Sequence, residues 1–193
     1  MHPLAINVSG HFISDPEFCA KLLSLLTTRI GVEEHISIEI TESAEINDLE
    51  AVNNAIQKFR HIGFKVALDD CGAGAASFDY LNSFDVDTVK FDGPVVKRAV
   101  GTRKGKAFLA SMATLCHEIG VEIIAEMVED QALADFLKQC GIELGQGWHF
   151  GKPMSIEDAF PSINMAHKGI EPSDDLRSDL RMSLLERLAA DKD

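Results

Sequence analysis

The chain of 193 residues has the length of one domain, and its 46% hydrophobic and 25% charged residues are typical of a globular protein, not of a disordered one. Its 18 Lys and Arg against 31 Asp and Glu give a formal net charge of −13, which disfavours binding to DNA or RNA. The sequence has no CxxC pair, no apolar run of membrane length and no signal peptide. These features predict a cytoplasmic protein with reduced thiols and no membrane segment.

Amphipathic helices and short apolar strands alternate along the chain. Strands are predicted at 4–8, 35–40, 64–69, 86–90, 121–126 and 142–145. Helices are predicted at 16–29, 48–61, 77–83, 104–119, 130–139 and 155–160. Four of the helix ends are followed by a glycine, which closes a helix in the left-handed conformation without steric cost. Strands rich in Ile and Val favour a parallel sheet buried between layers, so the predicted fold class is α/β.

The sequence changes character after Pro161. Residues 162–174 are predicted to be a linker, and a leucine then recurs at every fourth position among charged residues. These leucines are Leu176, Leu180, Leu184 and Leu188. The pattern predicts an α/β domain at 1–161, followed by a linker and a C-terminal amphipathic helix at 162–193.

Polar residues stand at or near the point where each predicted strand ends. They are Asn7, Glu39, Asp69, Asp70, Lys90, Glu126 and Gln146. In a parallel barrel these ends meet on one rim, where loops build the active site. A ring of carboxylate and amide oxygens suits Mg²⁺ or Mn²⁺, and the adjacent acids Asp69 and Asp70 can reach two cations. Such two-metal sites clamp both oxygens of an in-line phosphoryl displacement.

Other interpretations of this pattern stay open at this point. A single acid at a strand end is more often a helix cap or an ion-pair partner than a metal ligand. Carboxylates and a lysine base around Mg²⁺ are also the arrangement of enolase-type enzymes. The basic run at 97–106 is interpreted as a solvated loop and not as a nucleotide-binding cluster.

Six stretches of the sequence, in the same order along the chain, carry a resemblance to a known family. They are INVSG (6–10), IEITES (38–43), ALDDCGAGAASFDYL (67–81), VDTVKFDG (86–93), IIAEMVED (123–130) and LGQGWHFGKP (144–153). Over residues 5–160 the chain resembles the EAL-domain family, bacterial phosphodiesterases of the second messenger cyclic di-GMP. The resemblance implies a TIM-type α/β barrel and a metal-dependent hydrolase that acts in signal transduction with two divalent cations, Mg²⁺ or Mn²⁺.

The resemblance also implies a role for each of the polar residues at the rim. Four of them would bind metal: Asn7, Glu39, Asp69 and Asp70. Asp69 would bridge the first cation to a second one near Asp70.

The catalytic residues implied by the resemblance come from the later strands. Lys90 would hold the attacking water or the scissile phosphate. Glu126 would complete the network around the metals, with Glu129 supporting it, and Gln146 would position water or substrate.

Two departures from the family pattern bear on activity. The Glu-Ala-Leu signature and the first barrel strands are absent from the sequence, so about six of the eight strands are expected. The loop at 71–80, which Glu42 would anchor and which carries dimer contacts in the family, has Cys71 in place of a phenylalanine and Ala76 in place of a serine. Whether the chain is an active enzyme is therefore left open.

The function implied is hydrolysis of one phosphodiester of cyclic di-GMP to linear pGpG by a two-metal mechanism. The alternative is a catalytically inactive EAL-like module that binds a nucleotide or a protein. We expect a homodimer, held more by the edge of the first strand and the C-terminal leucines than by the loop at 71–80. Upstream sensor or GGDEF modules are the expected partner domains.

Overall fold

The computed structural model describes residues 4–28, 31–41, 46, 48–72 and 77–155. The chain divides into two compact units, Met1–Lys152 and Pro153–Asp193, and the fold below is that of the first unit. Glu42, the predicted linker, the C-terminal helix and most of the helix predicted at 155–160 lie outside the described residues. The domain boundary at residue 161 therefore stays a prediction.

Six strands form one parallel sheet, and their order in the sheet is their order in the chain. They are β1 (Leu4–Ser9), β2 (Ile36–Thr41), β3 (Lys65–Cys71), β4 (Thr88–Phe91), β5 (Glu122–Ala125) and β6 (Leu144–Gly145). Each strand overlaps its predicted range. The alternation of parallel strands with helices confirms the α/β class.

Helices connect the strands throughout the described part of the chain. They are α1 (Gly10–Ile13), α2 (Pro16–Leu26), a 3₁₀ helix (Val32–Glu34), α3 (Leu49–Ile62), α4 (Ser77–Ser83), α5 (Gly93–Ala99), α6 (Arg103–Glu118) and α7 (Gln131–Gln139). None of these helices is both long and apolar enough to cross a membrane. The interpretation of 97–106 as a loop was wrong, because this run holds the end of α5 and the beginning of α6.

The helix boundaries follow from the residues that cap them. Asp15 accepts hydrogen bonds from the backbone N–H groups of Glu17 and Phe18 at 2.8 and 3.3 Å, and Pro16 is the first residue of α2. The four predicted closing glycines all have positive φ. They are Gly31, Gly63, Gly120 and Gly141. Gly63, Gly120 and Gly141 follow the ends of α3, α6 and α7 within two residues. The prediction that Gly31 closes the first long helix was wrong, because α2 ends at Leu26 and Gly31 is the N-cap of the 3₁₀ helix.

The two faces of the sheet differ in polarity because successive side chains of a strand point to opposite faces. One face of β2 presents Ile38 and Ile40, which are fully buried in a core that also contains Val52 and Phe59 of α3. The other face of β2 carries Glu39. The apolar face thus packs against helices, and the polar face is the one on which the rim residues project.

The described sheet ends at β1 on one side and at β6 on the other. Leu4 of β1 and Leu144 of β6 are 57% and 46% exposed. An exposed strand edge can pair with another chain. The homodimer expected from the edge of β1 and the C-terminal leucines remains a prediction.

The side chain of Asp87 ties together the ends of the strands opposite the rim. Its carboxylate accepts hydrogen bonds from the Val66 N–H and from Lys65 Nζ, both at 3.0 Å, and lies 3.3 Å from Arg60 Nε. Burial alone would raise the pKa of Asp87, but the bond from Val66 and the cations Lys65 and Arg60 lower it below its ordinary value. The carboxylate thus stabilises the fold as an anion.

We expect Asp87→Asn to cost about 1 kcal/mol of unfolding free energy at pH 7, since Arg60 and Lys65 are partly exposed and water screens them. Because the folded-state pKa is lowered, this stabilisation is present above the unfolded pKa of about 4 and is lost as the pH falls through the folded value. Urea unfolding at pH 7 and pH 3 measures it. The control is Asp135→Asn, which makes the same replacement of a carboxylate by a carboxamide at an exposed position on α7. An equal loss of unfolding free energy at both pH values in Asp87→Asn would contradict the prediction.

Candidate active site

The ammonium of Lys90 lies at the centre of three carboxylates at the carboxyl ends of β2 to β5. Nζ is 2.9 Å from Oε2 of Glu39, 2.9 Å from Oδ1 of Asp69 and 2.8 Å from Oε1 of Glu126. The lysine side chain is 4% exposed, and the three carboxylates are 13–17% exposed. Four strands thus bring one buried cation and three acids into direct contact, as the shared rim predicted.

Burial and the neighbouring charges shift the pKa values of Lys90 and Glu126. Burial alone would lower the pKa of Lys90, but the neighbouring carboxylates of Glu126, Glu39 and Asp69 outweigh burial and raise it above its ordinary value. Burial raises the pKa of Glu126, Lys90 opposes this rise, and Asp69 and Asp70 add to it. These contacts favour the protonated ammonium, which donates hydrogen bonds to the acids around it.

The acids outnumber the single ammonium, so the cluster carries excess negative charge. Oδ1 of Asp69 is buried, and the ammonium of Lys90 that lies 2.9 Å from it is shared with Glu39 and Glu126. Asp69, Asp70 and Glu126 each present one carboxylate oxygen, and these oxygens lie within 4.8 Å of one another. Three carboxylate oxygens this close together fit a hard divalent cation such as Mg²⁺ or Mn²⁺.

The backbone is strained directly after two of these acids. Asp70, which follows Asp69, has φ 57°, and Met127, which follows Glu126, has φ 52°. In the described ranges these are the only residues other than glycine with positive φ. The pairing of β3 with β4 also shifts register between Leu68 and Cys71. Left-handed backbone in ordinary residues costs free energy and is retained mainly at functional sites.

We expect Met127→Gly to raise the unfolding free energy by about 1 kcal/mol, because glycine adopts φ 52° without strain. The matched control is Val100→Gly at a residue of similar exposure, where φ is −63° and glycine should destabilise by about 0.5–1 kcal/mol. Urea unfolding of both variants decides. Destabilisation by Met127→Gly as large as that of the control would show that the turn after Glu126 stores no strain.

The remaining predicted site residues lie outside this cluster or at its border. Asn7 on β1 is exposed, and its Cα pairs in register with that of Glu39. Gln146 is exposed, and its backbone bonds to Ala125 and Val128 at 2.8 and 3.0 Å. Glu129 forms an ion pair of 2.9 Å with Lys97 on α5, and both side chains are about half exposed. The structure thus brings Glu129 to α5 rather than to Lys90.

One acid near the site was not predicted. Asp92 follows Lys90 by two positions. Partial burial raises the pKa of Asp70 most, and the negative charges of Asp69 and Asp92 raise it further. The two-residue period of a strand places positions 90 and 92 on the same face, so the sequence VDTVKFDG contained the signal.

A cleft of about 830 Å³ lies away from the rim, at the end of α3 and the beginning of β3. It is lined in part by Arg60, Lys65 and Asp87 and by none of the predicted site residues. The chemistry that the sequence predicts therefore lies at the rim and not in this cleft.

Comparisons with known proteins agree with this arrangement. The EAL domain family matches residues 1–153. Cyclic di-GMP phosphodiesterase PdeB of Shewanella oneidensis is 34% identical over 158 residues, which cover 80% of this chain and 18% of that protein. The chain spans less than one third of the length of each of the first curated relatives.

Solved structures give the same result. An EAL domain protein from Listeria monocytogenes superposes with a TM-score of 0.75 at 27% identity, over 83% of this chain and 64% of that one. BlrP1 of Klebsiella pneumoniae, in complex with manganese and cyclic di-GMP, has a TM-score of 0.66 at 28% identity, over 76% of this chain and 38% of that one. The likeness confirms the TIM-type barrel, of which the described residues form six strands. The chain therefore belongs to the EAL domain family.

Proposed function

We propose that this chain carries the rim of an EAL-type site that hydrolyses one phosphodiester of cyclic di-GMP to linear pGpG with two divalent cations, Mg²⁺ or Mn²⁺. The observation that supports it is the cluster of Asp69, Asp70 and Glu126, whose carboxylate oxygens lie within 4.8 Å of one another beside the buried Lys90. The curated relative and the solved complex named above are, respectively, a phosphodiesterase of this nucleotide and a complex with it.

Carboxylate and amide side chains at the rim would bind the cations. The residues that would do so are Asn7, Glu39, Asp69, Asp70 and Glu126. The family resemblance assigns the bridge to Asp69, and Asp69, Asp70 and Glu126 present oxygens that lie within 4.8 Å of one another. Bound divalent cations would supply the Lewis acidity that activates water and offsets phosphate charge.

The other side chains act on the substrate and the water. Lys90 donates hydrogen bonds to the attacking water or to a phosphate oxygen, since its ammonium stays charged among the three acids. Gln146, exposed beside the end of β5, positions water or substrate. Glu129 would support Glu126 from the loop before α7, where it is paired with Lys97. The anchoring of the loop at 71–80 by Glu42 stays a prediction, because Glu42 lies outside the described residues.

A turnover assay tests the proposal. The chain is incubated with cyclic di-GMP and Mg²⁺ or Mn²⁺, and pGpG is measured by chromatography. We expect cation-dependent product that Lys90→Met abolishes. Lys106→Met is the matched control, because Lys106 is a surface lysine on α6 that bonds Gln139 at 2.9 Å. Product that persists in Lys90→Met would contradict the assignment of the site.

A second function is binding without turnover, as an inactive regulatory module. It is favoured by the end of β3, where a buried Cys71 stands in place of the phenylalanine of the family pattern. Calorimetric binding of cyclic di-GMP with no pGpG in the assay would identify this function.

The remaining parts of the proposal concern the protein around the site. We propose a cytoplasmic signalling protein that forms a homodimer and works with sensor or GGDEF modules. The edge of β1, with Leu4 57% exposed, supports the dimer. Sedimentation at tens of micromolar, with and without residues 174–193, measures it.

A further inference from the structure

A buried contact links the segments that follow β1, β2 and β3 on the rim. The backbone N–H of Ile46, between β2 and α3, donates a hydrogen bond of 3.1 Å to the hydroxyl of Tyr80 on α4. Ile46 is 8% and Tyr80 2% exposed. The bond joins residues 34 positions apart, and it is the hydrogen bond by which the described structure ties Ile46 to the helix after β3.

The side chain of Ile46 reaches the third segment. Gly10 opens α1 directly after β1, and a Cβ at Gly10 would stand 2.6 Å from Cδ1 and 2.8 Å from Cγ1 of Ile46. The space that any other residue would fill at position 10 is thus taken by this isoleucine. Ile46 therefore contacts the segment after β1 with its side chain and the helix after β3 with its backbone.

Tyr80 is itself held rigidly. Its ring stacks on Phe84, with centroids 5.3 Å apart and planes 12° from parallel, and Phe84 is 4% exposed. A buried phenol in a fixed position makes a hydrogen bond at little cost in side-chain entropy. The hydroxyl also accepts a hydrogen bond from the Ile46 N–H, which is buried away from water and would otherwise have no acceptor.

We propose that Gly10, Ile46 and Tyr80 form a latch that fixes these three segments relative to one another, and that Tyr80 is thereby a positioning residue for the cation site. The three strands before them supply Asn7, Glu39, Asp69 and Asp70. Asp70, with its positive φ, stands near the end of β3, the strand that precedes α4 in the chain. This inference rests on the proposed cation site.

The test uses Tyr80→Phe, which removes the hydroxyl and keeps the ring. We expect Mn²⁺ affinity, measured by calorimetry, to fall roughly 3- to 10-fold, below the 10- to 100-fold of an outer-shell partner, because Tyr80 bonds the segment of Ile46 and not a ligand itself. Amide exchange at Ile46 should become faster. Thr114→Val is the control, because it removes a hydroxyl that bonds Ala110 O at 2.9 Å on α6 and should leave Mn²⁺ affinity unchanged.

A double-mutant cycle tests the other half of the latch. Gly10→Ala should weaken Mn²⁺ binding by crowding Ile46, and Ile46→Ala in the same chain should relieve that crowding, so the two effects should not add. Additive effects would overturn the contact between Gly10 and Ile46 as a coupling element.

The outcomes separate the latch from the proposed function. A parent chain that binds Mn²⁺, with a Tyr80→Phe variant that binds it equally well or only melts at a lower temperature, would overturn the latch as a positioning device. A parent chain that binds no Mn²⁺ would contradict the cation site. Amide exchange at Ile46 and in α1 then decides: faster exchange in Tyr80→Phe supports the latch, and unchanged exchange overturns it.

Discussion

Lys90→Met is expected to lower the unfolding free energy of the metal-free chain by about 3–5 kcal/mol, because it leaves three buried carboxylates without their shared counter-ion. The same variant should lose cation-dependent hydrolysis, since no other ammonium lies among these acids in the described residues. Urea unfolding with and without Mn²⁺ measures the first effect. We expect Mn²⁺ to recover part of the lost stability, because a cation bound only by the folded chain stabilises it.

The control is again Lys106→Met, whose hydrogen bond to Gln139 is exposed. It should change the unfolding free energy by less than about 0.5 kcal/mol. A Lys90→Met chain as stable as this control would show that the carboxylates of Glu39, Asp69 and Glu126 reach water when the lysine is removed.

Asp69→Asn is expected to weaken Mn²⁺ binding more than about 100-fold, since even outer-shell partners of a metal contribute 10- to 100-fold. The substitution replaces an anionic ligand whose carboxylate lies within 4.8 Å of those of Asp70 and Glu126. Asp70→Asn should weaken binding less, because Asp70 is exposed and belongs only to the second cation in the proposal. Calorimetry with Mn²⁺ on the two variants and the parent chain compares them.

Equal and negligible effects of the two substitutions would mean that these acids are solvated surface. Asp69→Asn also removes one carboxylate partner of Lys90 and could unfold the chain. Unfolding curves at the same pH therefore check that the variant is folded when Mn²⁺ binding is measured. A variant that is folded and has lost Mn²⁺ binding supports the bridge.

Much of the fold could be predicted from local patterns. The six strands, and the closing glycines that precede several of them, are visible because helix and strand differ in the period of their apolar residues. Helix α5 was missed, since a run of basic residues after Pro94 resembles a loop. Its buried residues Val95, Val96 and Ala99 have helical spacing, and this spacing predicts a helix.

The site could be predicted in part. Parallel strands end on the same rim, so Glu39, Asp69, Lys90 and Glu126 were expected to lie together. The direct contact of Lys90 with three acids depends on how far the strands are staggered, and local sequence does not give that distance. The pairing of Glu129 with Lys97 depends on α5, the helix that was missed.

The strand order also bears on how the chain folds as it is synthesised. Among the described residues, each strand pairs only with strands that neighbour it in the chain, so each new βα unit adds to those already made, and the separation of contacts along the sequence stays short. The charged cluster is different, because it draws on β2, β3, β4 and the residue after β5. Glu39 and Asp69 therefore emerge from the ribosome well before Lys90 and Glu126 and remain hydrated until the later units arrive. The cluster is therefore complete only when the residue after β5 has joined the sheet.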